Sequence, residues 1–446
     1  MKKLIIFAFT AFVFTSCELT DVVDNDPPNN LVPENVVTNE DDARALLNGI
    51  YTTIISVPSS HYYMYSELIP AALSGSMSSI GFGTNNTDFV TNNLKAENTH
   101  GRDYWKMLYS VMDGANNTIS LVGALPEDEF AGNGKQEIIG EAHFLRAMAT
   151  FDALRYYGQF WDLTSEYGVI VRTEPVNFVT RDISRSSVQQ TYTQVLADLD
   201  HAIANAPDFS VTYRASKTAA KALKARVLLF MGDYQGAAQM ADQVIMDQTR
   251  SLEGDFASVF STGLNSSEMI LMTHRHAESD TEDNNRKRFY PGRTGTTWLP
   301  ELMEGDPRQP LTYNGINTIK VNNVETFRPT YFIRLAEMYL IKAEALAFSG
   351  ASLEEAKAPL DAIRLRAGLE PSVATSIEEL KEDIFEEWLR ELVFENGSEW
   401  FAAIRFGKIM ELKPSVTSSD QFILPIPEDE IYGNANLTLA DQNPGY

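Results

Sequence analysis

The chain has 446 residues, of which 44% are hydrophobic, so it is long enough to bury a large core. Its 61 acidic and 36 basic residues give a formal net charge of −25 at pH 7, which argues against nucleic acid or an anionic lipid surface as the ligand. The single cysteine excludes an intramolecular disulfide framework.

Residues 1–17 have the three parts of a secretory signal. Lys2 and Lys3 form the positive start, an apolar run covers residues 4–14, and small residues precede Cys17. The apolar run is shorter than the roughly 20 residues that cross a bilayer as a helix. The segment resembles a bacterial lipobox, in which the cysteine at the cleavage site carries lipid. We therefore predict a lipid anchor at Cys17, which two or three acyl chains make stable.

Residues 17–36 are acidic, rich in Pro and Asn and without periodicity, which predicts a flexible tether. Amphipathic helices follow. Apolar periodicity predicts helices over 39–57, 102–124 and 136–157. Capping boxes predict further helix starts at Ser187, Ser352 and Ser376. Pro359 predicts either a kink or a fresh start within the segment that begins at Ser352.

A spacing of six small and apolar positions recurs in residues 216–247 and 336–366 and is typical of a tetratricopeptide repeat. Ala225 and Ala237 stand where the two helices of a pair would touch. Helical hairpins of an unrelated bundle are the alternative, but the six-position match favours the repeat. Such pairs must stack on neighbours, and the different residues between the matches predict an interrupted array. The predicted fold is mainly α, with tetratricopeptide-type helix pairs, long irregular loop insertions and little β-structure.

Two regions without helical period, 58–98 and 248–328, form the insertions, and loops of this length are usually functional. Sugars stack their C–H faces on aromatic rings and bond their hydroxyls to polar side chains. The candidate ligand-binding residues of the insertions are therefore Trp298, Tyr290, Tyr62, Tyr63, Phe82, Asn85, Asn86 and Arg293. Trp298 comes first, because a lone Trp in a Gly/Thr-rich loop has little helical core to join. The alternative for each aromatic residue is a small apolar cluster beneath the loop.

Nothing in the sequence supports catalysis, a cofactor or a metal. His274 and His276 lack a nearby Cys or a spaced carboxylate, so we interpret them as loop histidines. The helical carboxylates Glu386, Glu387, Glu391 and Glu395 are interpreted as solvated faces that pair with Arg390 or Lys381. The sequence contains no nucleophile elbow and no phosphate-binding glycine motif.

The last third of the chain carries the most specific motifs. They are RPTYFIRLAEMYLIKAEALA (328–347), AIRLRAGL (362–369), IFEEWLRELVFENGSEWFAAIRFGK (384–408), ILPIPEDEI (423–431) and QNPGY (442–446). Their order resembles the SusD/RagB family of surface lipoproteins of Bacteroidetes nutrient-uptake systems. Upstream, residues 103–119 and 140–158 resemble the family's N-terminal helices, and GDPR (305–308) resembles its Asp-x-Arg turn. ENGSEWFA (395–402) departs from the family's Gly-x-Arg-Trp pattern.

The resemblance implies a signal peptide at 1–16, a lipid-anchored tether at 17–36 and one globular SusD-like domain at 37–446, with the family motif region at 328–446. It implies a non-enzymatic protein outside the outer membrane that binds oligosaccharide and passes it to a SusC-like TonB-dependent transporter. A RagB-like peptide-binding protein and a lipid-anchored tetratricopeptide adaptor are the alternatives. An anchored glycoside hydrolase is a third, which requires two facing carboxylates.

Overall fold

The computed structural model describes residues 36–55, 62, 64–81, 86–274, 297–323 and 329–446. Helices dominate these ranges, which confirms the predicted mainly α fold. The first helices are α1 (Glu40–Ile55), α2 (Ile69–Ser74), α3 (Asn86–Val90), α4 (Thr99–Ala124), α5 (Gly134–Tyr157), α6 (Val188–Asn205), α7 (Lys217–Phe230), α8 (Tyr234–Met246) and α9 (Phe256–Ser261). The later helices are α10 (Leu299–Leu302), α11 (Gln309–Thr312), α12 (Leu335–Ser349), α13 (Leu353–Arg366), α14 (Ile377–Leu392), α15 (Ser398–Arg405), α16 (Ile409–Leu412) and α17 (Glu428–Gly433).

The long helices pack on one another in the order of the sequence. α1 packs on α4, α4 on α5, α5 on α6, α6 on α7 and α7 on α8. α8 then packs directly on α12, which packs on α13, so the two predicted repeats are neighbours in space. The array is therefore interrupted in the sequence but not in the packing. Ala225 and Ala237 are both 0% exposed, which confirms their place in the core of the first pair.

The predicted helix starts are present, with differences in their side chains. Complete capping boxes begin α6 at Ser187 and α13 at Ser352. Ser376 also caps α14, but the carboxylate of Glu379 turns to the backbone and hydroxyl of Thr375. α13 runs through Pro359 as one element, which excludes the fresh start, one of the two predicted alternatives.

The first insertion is largely core. A π-helical turn (Met64–Leu68) runs into α2, and residues 65–77 are buried throughout. A helix that is buried on all sides has no solvent-facing side and hence no amphipathic period, and the buried residues here include the polar Ser66, Glu67 and Ser74. The prediction of an irregular loop over these residues is therefore wrong, and the absence of periodicity reflected complete burial.

The second insertion also contributes to the core. Its strand β1 (Met269–Met272) pairs antiparallel with β4 (Tyr331–Arg334), and every residue of both strands is buried. A short hairpin of β2 (Tyr313–Asn314) and β3 (Asn317–Thr318) lies between them in the sequence. The pair β1–β4 fixes this insertion directly before α12.

A group of mutually bonded charged side chains is buried where the second insertion meets the C-terminal helices. This buried ion network consists of Glu268, Asp306, Arg308, Lys320, Arg334, Arg366, Glu387, Glu391 and Glu395. Glu387 and Glu391 are 0% exposed and Glu395 is 4% exposed, so the interpretation of these three as solvated is wrong. Glu386 does pair with Arg390 as predicted, at 2.9 Å.

Glu391 lies at the centre of the buried ion network. Its carboxylate accepts hydrogen bonds from Arg308 at 2.9 Å, from Arg334 at 3.0 Å and from Arg366 at 2.5 Å. Burial raises the pKa of Glu391, but the three guanidinium groups outweigh this and hold the pKa well below its usual value. The carboxylate is therefore charged throughout the physiological pH range.

Within the described ranges, no helix has both the length and the apolar character needed to cross a membrane.

Candidate functional site

Trp298 joins the two insertions. It directly precedes α10 and is half-buried. Its indole Nε1 donates a 2.9 Å hydrogen bond to the backbone oxygen of Ser74, the last residue of α2. Ser74 belongs to the first insertion and Trp298 to the second. The bond fixes the orientation of the indole while part of the ring stays accessible.

Trp298 lines an open groove of about 770 Å³, here called the Trp298 groove. The other lining residues come from three short stretches: Glu301, Leu302, Glu304, Glu382, Phe385, Glu386, Leu389, Arg390, Lys408, Glu411 and Leu412. Ligand sites in proteins typically measure about 300–1,000 Å³. The groove has the size of a ligand site and combines aromatic, aliphatic and charged walls.

The two cations of the groove are already paired. Arg390 contacts Glu386 at 2.9 Å and donates to the backbone oxygen of Leu302 at 3.2 Å. Lys408 contacts Glu382 at 2.8 Å, and this hydrogen bond raises the pKa of Lys408.

Three carboxylates that line the groove have no direct cationic partner. Glu301, Glu304 and Glu411 form no ion pair or side-chain hydrogen bond with any residue that the structure describes. With the cations neutralised by their own partners, these three groups leave the groove with an excess of negative charge. The groove therefore offers hydrogen-bond acceptors and repels anions.

This combination suits an uncharged ligand with many hydroxyl groups. Hydroxyls donate to carboxylates, and the apolar face of a sugar ring packs on an aromatic surface. The indole of Trp298 supplies such a surface, and Phe385, which is 7% exposed, extends the apolar wall. A sulfated or carboxylated ligand would meet repulsion instead.

Tyr62 lies in the core and not in the Trp298 groove. It is 1% exposed, and its hydroxyl donates to the carboxylate of Asp152 on α5. Its ring packs edge-on against Tyr104 at 6.0 Å and Phe332 at 5.2 Å between centroids. Both the ring and the hydroxyl are thus engaged inside the protein. Tyr62 therefore fits the alternative interpretation, in which an aromatic residue of the insertion joins an apolar cluster beneath the loop.

Asn86 has a local structural contact. It begins α3, and its Oδ1 accepts a 3.0 Å hydrogen bond from the backbone N–H of Ile80. It does not line the Trp298 groove. The remaining candidates lie outside the described residues: Tyr63, Phe82, Asn85, Tyr290, Arg293 and the predicted lipidation site Cys17.

Of the predicted ligand-binding residues that the structure describes, only Trp298 lines the groove. Phe385, Leu389 and Arg390 belong to α14 and to the family motif 384–408, but that motif indicates the family and not a groove wall. Lys408 and Glu411 come from the turn into α16 and from α16 itself. Residues on a helix edge carry no local signal that distinguishes a groove wall from ordinary surface.

The histidine pair of the second insertion gives no indication of metal binding. His274 stacks on Tyr213 with 4.6 Å between ring centroids, and His276 lies outside the described residues. Across the part of the chain that the structure describes, no three His, Cys, Asp or Glu residues are grouped so as to hold a metal ion.

Two family profiles match the chain. One, described as "Starch-binding associating with outer membrane", matches residues 23–229. The other, described as "SusD family", matches residues 302–446. The first covers the helices up to α7, and the second covers the motifs of the last third and most of the Trp298 groove.

Curated relatives carry the same family name. SusD-like protein P2 of Formosa agariphila is 25% identical over an alignment of 530 positions that covers 100% of both chains. A SusD-like protein of Bacteroides ovatus is 24% identical over 284 residues, which cover 61% of this chain and 49% of the relative.

Solved structures share the fold. A SusD superfamily protein of Bacteroides thetaiotaomicron superposes with a TM-score of 0.75 at 24% identity, over 92% of this chain and 100% of that one. A protein described as a laminarin-binding SusD-like protein superposes with a TM-score of 0.72 at 24% identity, over the same shares. These similarities establish the helical architecture.

Proposed function

We propose that this chain, which belongs to the SusD family, is a surface lipoprotein that captures an oligosaccharide in the Trp298 groove and passes it to a SusC-like TonB-dependent transporter. Cys17 anchors the protein to the outer membrane, and residues 17–36 hold the domain away from the lipid. Binding is non-covalent and includes no chemical step.

The observation that carries this proposal is the half-buried indole of Trp298 in an open groove rich in carboxylates. Its hydrogen bond to Ser74 holds the ring in place before a ligand arrives, so little side-chain entropy is lost on binding. The description of the N-terminal profile as starch-binding and the laminarin-binding structural relative support a glycan ligand. The negative charge of the groove favours a neutral glycan over an anionic one.

Calorimetry with a panel of neutral glycans, anionic glycans and peptides tests the proposal. We expect a neutral glycan to bind and to be recovered unchanged. Trp298→Ala should weaken that binding at least tenfold, a loss of about 1.4 kcal/mol. Trp298→Phe keeps an aromatic face but loses the bond to Ser74, so it should retain more affinity than the alanine variant.

Trp161→Phe is the matched control, because Trp161 is also half-buried but packs on Phe422 at 5.2 Å, outside the groove. It should bind like the wild type. Equal binding by Trp298→Ala and the wild type would refute the assignment of the groove. Binding of peptides but of no glycan would indicate that the captured nutrient is a peptide. Hydrolysis of the glycan would refute the proposal that the protein captures its ligand without a chemical step.

A further inference from the structure

A second cavity lies between α1, α5 and the strand pair β1–β4 and measures about 200 Å³. Its apolar walls come from all four elements: Ile54, Ile55, Leu145, Met148, Leu271, Met272 and Phe332. This apolar cavity shares no lining residue with the Trp298 groove. It is therefore a separate feature of the fold.

The polar side chains at one end of the apolar cavity are already bonded to one another. The Tyr51 hydroxyl donates to Glu141 at 2.7 Å and accepts from the backbone N–H of Ala215 at 2.8 Å. Arg214 forms an ion pair with Glu141 at 3.0 Å and also donates to Asn48. Its guanidinium lies 4.2 Å from the centroid of the Tyr51 ring. This end of the cavity leaves little hydrogen-bonding capacity for a ligand.

Thr52 and Thr273, two further polar residues of the lining, are engaged as well. Thr52 donates to the backbone oxygen of Asn48 at 2.9 Å, and Thr273 accepts from the backbone N–H of Thr330 at 2.9 Å. The backbone N–H of Met272 donates to the carbonyl of Thr212 at 2.8 Å. A sugar hydroxyl placed here would lose its bonds to water and find few replacements, which is unfavourable.

We propose that the apolar cavity binds a small aromatic group of the size of benzene or toluene. A dry cavity of about 150 Å³ lined by Leu, Ile and Phe is known to accept benzene, and this one is similar in size and has seven apolar residues in its lining. Met148 and Met272 add thioether sulfurs, which make favourable contacts with aromatic rings. The stacked rings of Tyr213 and His274 also belong to the lining.

The assignment gives the protein a second recognition element that selects ligands carrying a phenyl or phenolic group. Such a group could come from an aryl-substituted glycan or from a peptide with an aromatic residue. The chemistry that the cavity recognises is the same in both. The proposal does not depend on glycan binding in the Trp298 groove.

Toluene is the first probe, and NMR of protein labelled at the methionine methyl groups reports its position. We expect toluene to shift the signals of Met148 and Met272 and to raise the Tm, because a ligand that binds only the folded state stabilises it. Methyl glucoside, which lacks an aromatic ring, should do neither at this site. Unchanged signals from both methionines at saturating toluene would overturn the proposal.

Ile55→Phe places a ring in the apolar cavity from the last residue of α1 and should abolish both responses. Ala45→Phe is the matched control, because Ala45 is exposed on the same helix, and it should respond like the wild type. A toluene response that survives in Ile55→Phe would contradict the assignment. If Ile55→Phe does not fold, the response of the wild-type methionine signals to toluene decides whether the cavity binds an aromatic group.

Phenyl glucoside and N-acetylphenylalaninamide then distinguish the two sources of the aromatic group. Tighter binding of the first indicates an aryl-substituted glycan, and tighter binding of the second indicates a peptide with an aromatic residue. Trp298→Ala should respond to toluene like the wild type. A protein that binds toluene but no glycan would refute the function proposed for the groove and leave the cavity assignment standing.

Discussion

Replacing Arg334 by methionine removes one cation from the buried ion network while keeping much of the apolar volume of the side chain. Arg334 is 1% exposed. It donates to Glu395 at 2.6 and 2.9 Å, to Glu268 at 2.5 Å and to Glu391 at 3.0 Å. Loss of one partner from a buried ion pair costs about 3–5 kcal/mol, because the other charge stays desolvated.

The remaining cations decide where in that range the loss falls. Glu268 and Glu391 keep Arg366, and Glu395 keeps Lys320 at 2.7 Å. No carboxylate is left entirely without a cation, so the loss should not exceed the range for a single pair. We expect the free energy of unfolding to fall by about 3–5 kcal/mol.

Urea denaturation followed by tryptophan fluorescence measures this loss as a shift of the midpoint at constant m-value. Arg181→Met is the control, because Arg181 pairs with Asp182 at 3.4 Å with its side chain 59% exposed. An exposed pair of this kind contributes at most about 1 kcal/mol. If Arg334→Met lost no more stability than this control, the buried ion network would not hold the second insertion to the C-terminal helices.

Three further changes have definite outcomes. Burial and the stacked ring of His143, 3.8 Å away, lower the pKa of His201 below its usual 6.5. Stability should therefore fall as the pH drops below 6.5. His201→Gln should flatten the profile of Tm against pH between pH 7.5 and 5.5. Burial raises the pKa of Glu399 from 4.5 to about 7, so its contribution to stability is lost as the pH rises through this interval. Glu399→Gln keeps an acceptor for Ser76, and its Tm should rise relative to that of the wild type from pH 5 to pH 8. Parallel profiles of Tm against pH for the two proteins would contradict this. Cys17→Ala should move the protein from the membrane to the soluble fraction, and a variant that still sediments and incorporates labelled fatty acid would disprove the lipid anchor.

Local patterns predicted the helical frame well. The predicted helices over 39–57, 102–124 and 136–157 correspond to α1, α4 and α5. In α1 and α4 one apolar face packs on neighbouring helices, whereas α5 is buried on nearly all sides. The sequence also predicts the capping serines Ser187 and Ser352, because their hydrogen-bond partners lie within four residues along the chain. Features of this kind depend only on neighbouring residues in the sequence.

The parts that the sequence did not predict depend on distant contacts. Glu391 looks like a solvated helical carboxylate, and its burial becomes intelligible only with Arg308 and Arg334, which lie in other elements. Tyr62 looks like a loop aromatic, but Asp152 on α5 holds it inside. In both cases a buried partner distant in the sequence decides the environment of the side chain.

The direct packing of α8 on α12 has a consequence for how such proteins diversify. The chain leaves the helical stack after α8 and re-enters it at the adjacent layer, α12, and the buried pair β1–β4 fixes the point of return. Trp298, Glu301 and Glu304 lie in this segment and line the Trp298 groove, whereas the packing of α8 on α12 does not involve them. Substitutions at these three residues can therefore change the groove while the two helical layers stay in contact.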